Sequence, residues 1–299
     1  MTTTAPRTRR VIINTDAKNE ADDQFAIVHA LLSETLDVRG LIAAHFGDSR
    51  SATSMLDSRA EIDLLLGHLN MPGIRVENGA ETALPDEGTA IDSSGARLII
   101  EEAHRTDAGP LQIAFLGPLT DMAAALLIDP KIVETDTTVI WIGGPGYGNR
   151  EPGARSEFNL RNDIAAANVV FRSGIRIWQV PQTSYVMSSV GYAELEEKVA
   201  PCGPLGEYLV RQLQEWNETW HPEPIEHRAL GDSPAIGLML NPTGGLFRTV
   251  PAPTFSAEGG LLPGGHHTVR VCEMYDFRYL LEDFYAKLRR FARTTDEEL

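Results

Sequence analysis

The chain lacks the features that would make it a disulfide scaffold, a membrane protein or a polyanion binder. Its 299 residues include only two cysteines, Cys202 and Cys272. They show no metal-ligand spacing and no disulfide framework, which fits a reducing compartment. No run approaches the ~20 apolar residues that a membrane helix needs. Basic residues are scarce: 26 Lys and Arg face 42 Asp and Glu, for a net charge of −16 and a pI near 4.9. That balance denies the chain the basic face on which nucleic acid polymers or anionic membranes bind, and it predicts a neutral or cationic small ligand. The opening MTTTAPRTRR is basic but has no apolar signal-peptide core, so a cytoplasmic protein is expected. No repeat or low-complexity linker divides the sequence, and 1–299 is read as a single domain.

What is present is concentrated between Val11 and Leu32. A β-branched run, Val11 to Ile13, gives out at Asn14-Thr15-Asp16, and apolar residues return at helical spacing from Phe25 to Leu32. The loop between strand and helix carries Asp16, Glu20, Asp22 and Asp23. In open α/β sheets ligands bind at the carboxyl ends of strands, where this loop would lie. Two such carboxylates at 4 Å repel by about 4 kcal/mol at an effective dielectric near 20. A helix N-terminus can relieve one of them, with Asp22 as the N-cap candidate. The rest call for a cation, and oxygen-only ligands suit Ca²⁺ or Mg²⁺. The plainer alternative is a solvated acidic first turn.

Further along, strands are expected at Val38–His45, Leu111–Leu116, Thr138–Ile142 and Ile175–Val180. Helices are expected at Met55–Leu69, Ala96–His104, Met122–Ile128 and Asp163–Phe171. This alternation predicts an α/β fold with an open, mostly parallel, doubly wound sheet. Beyond it, helices are expected at Ala193–Val199, Leu205–Trp220, Asp232–Leu240 and Phe277–Arg293, with an irregular stretch over Pro222–Leu230.

Four motifs in order, the acidic loop, Gly117-Pro118-Leu119-Thr120-Asp121, Glu157-Phe158-Asn159 with Asp163, and Asp232, resemble the inosine-uridine preferring nucleoside hydrolases over most of the chain. Members of that family carry D-x-D-x-x-x-D-D, G-P-L-T-N, E-F-N-x-x-x-D and a late aspartate usually preceded by histidine. The resemblance implies a Ca²⁺-dependent hydrolase of the N-ribosidic bond of a nucleoside. In it Asp16, Asp23, the Thr120 carbonyl and Asp232 hold the ion, and Asp16 is the catalytic base. Asp22, Asp48, Asn149, Glu157 and Asn159 are implied to hold the ribose. It also implies a homodimer or homotetramer.

The departures are specific. Two extra residues separate Asp16 from the Asp22-Asp23 pair. Asn14 stands where many members have aspartate, and His45 is an addition near the second strand end. Gly231 replaces the histidine associated with the leaving base, which leaves His227 as the candidate acid, with Tyr147, Tyr185 and stacking on Trp216 or Trp220 as alternatives. The enlarged loop and the missing histidine suggest an unusual substrate, such as a nucleoside modified at the 2′ position. A non-catalytic Ca²⁺ and ribose-binding protein is a second reading, and a hydrolase of a non-nucleoside riboside a further one. Phosphoryl transfer is disfavoured, because the sequence places no basic cluster at these strand ends.

Overall fold

Alternation along the strands sorts side chains into two cores. In β1 (Arg9–Thr15), Val11 and Ile13 join one apolar cluster and Ile12 the other. In the computed structural model, residues 8–148, 156–221, 223–265 and 267–297 are described, without the side chains of 295–297. After β1 come α1 (Asp23–Leu31), β2 (Leu36–Ala43), α2 (Ser54–His68), β3 (Val76–Asn78), α3 (Ser94–Ala103), β4 (Leu111–Phe115), α4 (Thr120–Ile128) and β5 (Thr137–Ile142). The middle of the chain holds α5 (Phe158–Asn162), α6 (Ile164–Ser173), β6 (Arg176–Val180), α7 (Gln182–Tyr185), β7 (Ser189–Gly191), α8 (Tyr192–Lys198) and α9 (Gly203–Trp220). It closes with β8 (His227–Ala229), α10 (Ser233–Leu240), β9 (Gly245–Pro251), β10 (Thr254–Phe255), β11 (Leu261–Leu262), β12 (Thr268–Tyr275) and α11 (Phe277–Glu297).

Eight strands form the central sheet in the order β3-β2-β1-β4-β5-β6-β12-β9. All neighbours pair in parallel except β12 and β9. The expected doubly wound, mostly parallel α/β sheet is therefore observed. Helices α1, α2, α9, α10 and α11 contribute Phe25, Ile62, Leu209, Ile236 and Phe284 to one core. Helices α3, α4 and α6 contribute Ile99, Met122 and Val170 to the other. The strand order reverses between β1 and β4, and such a switch point leaves a crevice at the strand ends. The chain leaves β1 into the acidic loop, and β4 into Gly117-Pro118, at that crevice. Among the described residues no helix is long and apolar enough to cross a membrane. The stretch expected to be irregular contains β8, which pairs antiparallel with β7.

Candidate functional site

The residues inserted between Asp16 and Asp22 form a built loop. The Asn19 amide donates to the Asp16 carbonyl at 2.7 Å, closing a turn directly after β1. The carbonyls of Ala17, Asn19 and Ala21 are then taken by side chains. Gln24 donates to that of Ala17 at 2.6 Å and Gln212 of α9 to that of Ala21 at 2.9 Å. Arg50 and the Trp216 indole donate to that of Asn19 at 2.8 and 3.0 Å. Gln24 and Tyr208 in turn donate to the buried Glu61 of α2. Every backbone acceptor named here is satisfied, which holds the longer loop in one shape at the carboxyl end of β1.

This shape brings four buried carboxylates together. Oxygens of Asp22, Asp23 and Asp232 lie within 4.8 Å of one another. Asp22 occupies the N-cap position of α1, as expected, but its side chain makes no capping bond and instead accepts from the Asp232 amide at 3.3 Å. Asp23 accepts from the Thr15 hydroxyl. Asp16 is 1% exposed, and its Oδ2 is buried without a hydrogen-bond partner among the described residues. Room for it exists because residue 117 is glycine: a Cβ there would stand 2.8 Å from Asp16 Cγ.

Burial dominates the electrostatics. It pushes the Asp16 carboxyl well above the usual range, with Asp23 adding repulsion. Burial likewise raises Asp22 to about 7, opposed by the guanidinium of Arg228, and Asp23 to about 6, opposed by the Thr15 hydroxyl. Asp232 is raised strongly by burial and then by Asp23. Four desolvated carboxyls gathered together, one with an unpartnered oxygen, fit a metal cation.

Opposite them, Glu157 caps α5. It accepts from the amides of Gly144 at 2.8 Å, Leu160 at 2.9 Å and Asn159 at 3.1 Å, and from the Tyr185 hydroxyl at 2.9 Å. The Asn159 amide nitrogen donates to the carbonyls of Leu116 at 2.6 Å and Ile142 at 2.9 Å, tying together the ends of β4 and β5. Asn159 thus turns its side-chain oxygen, the acceptor, away from those clamps. Both residues line the same cavity as Asp16, Asp22, Asp23 and Asp232.

Other expectations fare differently. Thr120 does not line the cavity. Its hydroxyl accepts from His45 Nε2 at 2.8 Å and donates to Asp163 at 2.8 Å. His45 also accepts the Gly47 amide at Nδ1, and burial lowers it to about 4, so it is a neutral link in a structural relay. Asp48 is exposed at a bend after β2 and outside the cavity, because Gly47, with φ of 76°, turns the chain there. Asn149 lies outside the described residues. His227 is exposed on β8, whereas its neighbour Arg228 reaches Glu20 and stacks on Trp216 at 4.1 Å. Alternation along the strand points the two side chains to opposite faces, and the histidine takes the outer one.

The space beside Gly231 is taken. A Cβ there would stand 2.9 Å from the Tyr185 ring and 3.3 Å from Asp22 Oδ2, so no side chain fits while Tyr185 holds its place. Asn19, Glu20 and Phe158 also line the cavity; the sequence marked Glu20 in the acidic loop and Phe158 within its motif, without a role for either, and did not mark Asn19. Nor does the sequence show the basic cluster at the mouth: Arg50 lies 4.7 Å and Arg161 4.5 Å from the Phe158 ring. Contrary to the expectation from sequence, cationic residues do gather beside these strand ends, supplied by distant segments.

The comparisons with known proteins bear on this cavity. The profile of the family described as inosine-uridine preferring nucleoside hydrolase matches residues 11–275, a span that contains all the acidic residues above. The chain belongs to the inosine-uridine preferring nucleoside hydrolase family. Among curated relatives, the probable uridine nucleosidase 2 of Arabidopsis thaliana is 28% identical over 226 residues, 69% of each chain. The pyrimidine-specific ribonucleoside hydrolase RihA of Escherichia coli is 30% identical over 173 residues, 52% of this chain and 55% of that one. Solved structures share the fold. A plant nucleoside hydrolase superposes with a TM-score of 0.78 at 21% identity, over 95% of this chain and 99% of the other. The purine-preferring ribonucleoside hydrolase of Gardnerella vaginalis gives 0.79 at 20% identity, over 96% and 100%. These relatives are named as nucleoside hydrolases, enzymes that cleave N-glycosyl bonds, and members of this nucleoside hydrolase family are generally metal-dependent.

One departure from the nucleoside hydrolase pattern explains itself. Where the family's D-x-D and G-P-L-T-N place aspartate and asparagine, this chain has Asn14 and Asp121, and the Asn14 amide donates to Asp121 at 2.8 Å. The two partners are exchanged, and one buried charge is kept. Asp121 also accepts from the Ala80 amide at 2.9 Å and the Ser93 hydroxyl at 2.7 Å. Asn14→Asp therefore puts two carboxylates face to face in the core. Thermal unfolding is expected to drop by several degrees, for a cost of about 3 kcal/mol, and Asn14→Asp/Asp121→Asn is expected to recover most of it.

Proposed function

We propose that the chain hydrolyses the N-ribosidic bond of a nucleoside with the help of Ca²⁺. The observation that carries this reading is the gathering of Asp16, Asp22, Asp23 and Asp232 opposite Glu157 and Asn159 in one cavity at the switch point of the sheet. Asp16, Asp23 and Asp232 would hold the ion, and the proximity of Asp22 to Asp23 and Asp232 favours its taking part as well, whereas Thr120, outside the cavity lining, is left out of the set. When bound, Ca²⁺ supplies the positive charge that keeps these carboxylates ionised and makes a nearby water more acidic.

Asp16 takes the proton of the attacking water. Burial raises its affinity for a proton, which suits a general base near neutral pH. Asp22 accepts from the ribose hydroxyls, while Glu157 and the outward oxygen of Asn159 orient the sugar from the other side. As the bond to the base lengthens, the ribose gains oxocarbenium character, and the surrounding carboxylates stabilise it without forming a bond. The base departs without an imidazole from position 231, where Tyr185 fills the space.

The built loop beside the ribose-binding Asp22 and the glycine at 231 together support a nucleoside with a modified ribose, a 2′-O-methyl group among the simplest. The reading further includes one domain over 1–299, assembled as a homodimer or homotetramer in the cytoplasm. Sugar release from uridine, inosine and their 2′-O-methyl forms tests the substrate. Release from at least one member is expected, with the 2′-O-methyl forms favoured. A plain preference for the unmodified nucleosides would remove the modified-ribose part of the reading.

A further inference from the structure

The floor of the cavity repels anions, and its mouth attracts them. Arg50 follows β2, Arg161 lies on α5 and Arg228 on β8, and the three converge on an aromatic rim. Arg50 lies 4.7 Å from the Phe158 ring and 5.1 Å from that of Trp220, Arg161 4.5 Å from Phe158, and Arg228 4.1 Å from Trp216. Glu20 is the carboxylate between two of them, 3.8 Å from Arg50 and in direct contact with Arg228. Among the described residues Glu20 is the one carboxylate paired directly with both guanidiniums, while Asp22 lies in the field of Arg228 and Asp16 in that of Arg50, on a protein whose net charge is −16.

We propose that the substrate is a riboside bearing a small anionic group, and that Arg50 and Arg228 receive that group at the cavity mouth. The anion is a phosphate on the 5′ carbon or a carboxylate on the aglycone. This inference rests on the N-riboside hydrolase reading above and names its substrate class.

Two observations on the guanidiniums support a ligand beyond the bracing of the loop, which Arg50 Nη1 shares with Gln212 and the Trp216 indole. Arg228 is only 11% exposed, and its Nε is buried with no hydrogen-bond partner among the described residues. Arg50 makes its hydrogen bonds and its ion pair through Nη1 alone among the described residues, leaving Nε and Nη2 as an open fork. A planar fork held against an aromatic ring is pre-organised for a phosphate or carboxylate. It is also in reach of the sugar: Phe158, on which Arg50 stacks, lines the cavity between Glu157 and Asn159. Composition excludes a polyanion, but one small anion can bind at a local cationic rim.

The test compares uridine, uridine 5′-monophosphate and 6-carboxyuridine as substrates for the metal-loaded wild type, Arg50→Met and Arg228→Gln. It is paired with calorimetric binding of ribose 5-phosphate against ribose, and of orotate against uracil. The wild type is expected to favour one anionic substrate over uridine by about tenfold or more in kcat/KM, the scale of one charge-assisted hydrogen bond. Each variant is expected to lose about tenfold more on that substrate than on uridine. Preference for the 5′-monophosphate places the anion on the sugar, and preference for 6-carboxyuridine places it on the aglycone. Equal or better turnover of uridine, or equal losses on all three, would overturn the inference and leave the hydrolase reading intact. If nothing is turned over, the hydrolase reading fails, and binding decides: tighter binding of ribose 5-phosphate or orotate than of its neutral counterpart, weakened in Arg50→Met, upholds the anion site, and equal binding overturns it.

Discussion

Asp16→Asn is expected to lower kcat by about 10³-fold, the usual contribution of a positioned general base, and at the same time to raise the stability of the metal-free protein. The two effects come from one cause. Asp16 sits at the end of β1 with one carboxyl oxygen unpartnered and with Asp23, Glu20 and Asp22 all repelling its charge. A group held there for structural reasons would have a donor, and removing it would weaken the fold. A group held there for chemistry is strained, and replacing it with a neutral isostere relieves that strain. Sugar-release kinetics and thermal unfolding of the same variant check both halves. Full activity, or a loss of stability with activity retained per folded molecule, would show that Asp16 is a structural residue.

Removal of divalent metal is expected to abolish turnover and to lower the unfolding temperature, more at pH 8 than at pH 5. The metal-free native state keeps protons on Asp22 and Asp23 up to about pH 7 and about pH 6, well above the range in which the unfolded chain releases them. Their contribution to metal-free stability is therefore fully present below about pH 4 and is lost as pH rises through 6 to 7. Ca²⁺ binds the ionised carboxylates and restores what those charges cost. At 100 times its dissociation constant the ion adds about 2.7 kcal/mol, roughly 4 °C for a chain of this length. At pH 5 protons compete with the ion at these carboxylates and weaken its binding, so the gain in unfolding temperature shrinks. Unfolding scans with and without Ca²⁺ at the two pH values check this. A gain that is the same at both would place the ion elsewhere.

Both predictions concern a part of the molecule that was legible in the sequence, and for a local reason. The run from Val11 to Leu32 holds its strand, its turn and its helix within one stretch, so the position of Asp16, Asp22 and Asp23 at a strand end follows from adjacent residues. Glu157, Asn159 and Asp232 could likewise be placed at helix starts, because capping chemistry is local; Glu157 does cap α5 and Asp232 does precede α10. What could not be read depends on contacts between distant segments. The side chain of Asp22 abandons its capping bond for Asp232, 210 residues away. The cationic mouth assembles Arg50, Arg161 and Arg228 from three elements, and no pattern links them in the sequence. β8 has only three residues in a stretch rich in proline and charge, and without that strand the sequence could not show that His227 faces outward while Arg228 turns to Glu20. Asp48 was misplaced by one positive-φ glycine. Gly231 was visible as a departure, but only the Tyr185 ring beside it explains why no side chain stands there.

The measurement that bears most directly on the account is ribose release from the nucleoside panel by the wild-type protein, before chelation, after chelation, and after Ca²⁺ is restored. The account predicts release that stops with the chelator, returns with Ca²⁺, and is about 10³-fold slower in Asp16→Asn. Ca²⁺ binding without release from any nucleoside would contradict it, and the same carboxylates would then belong to a protein that binds its ligand and leaves it whole.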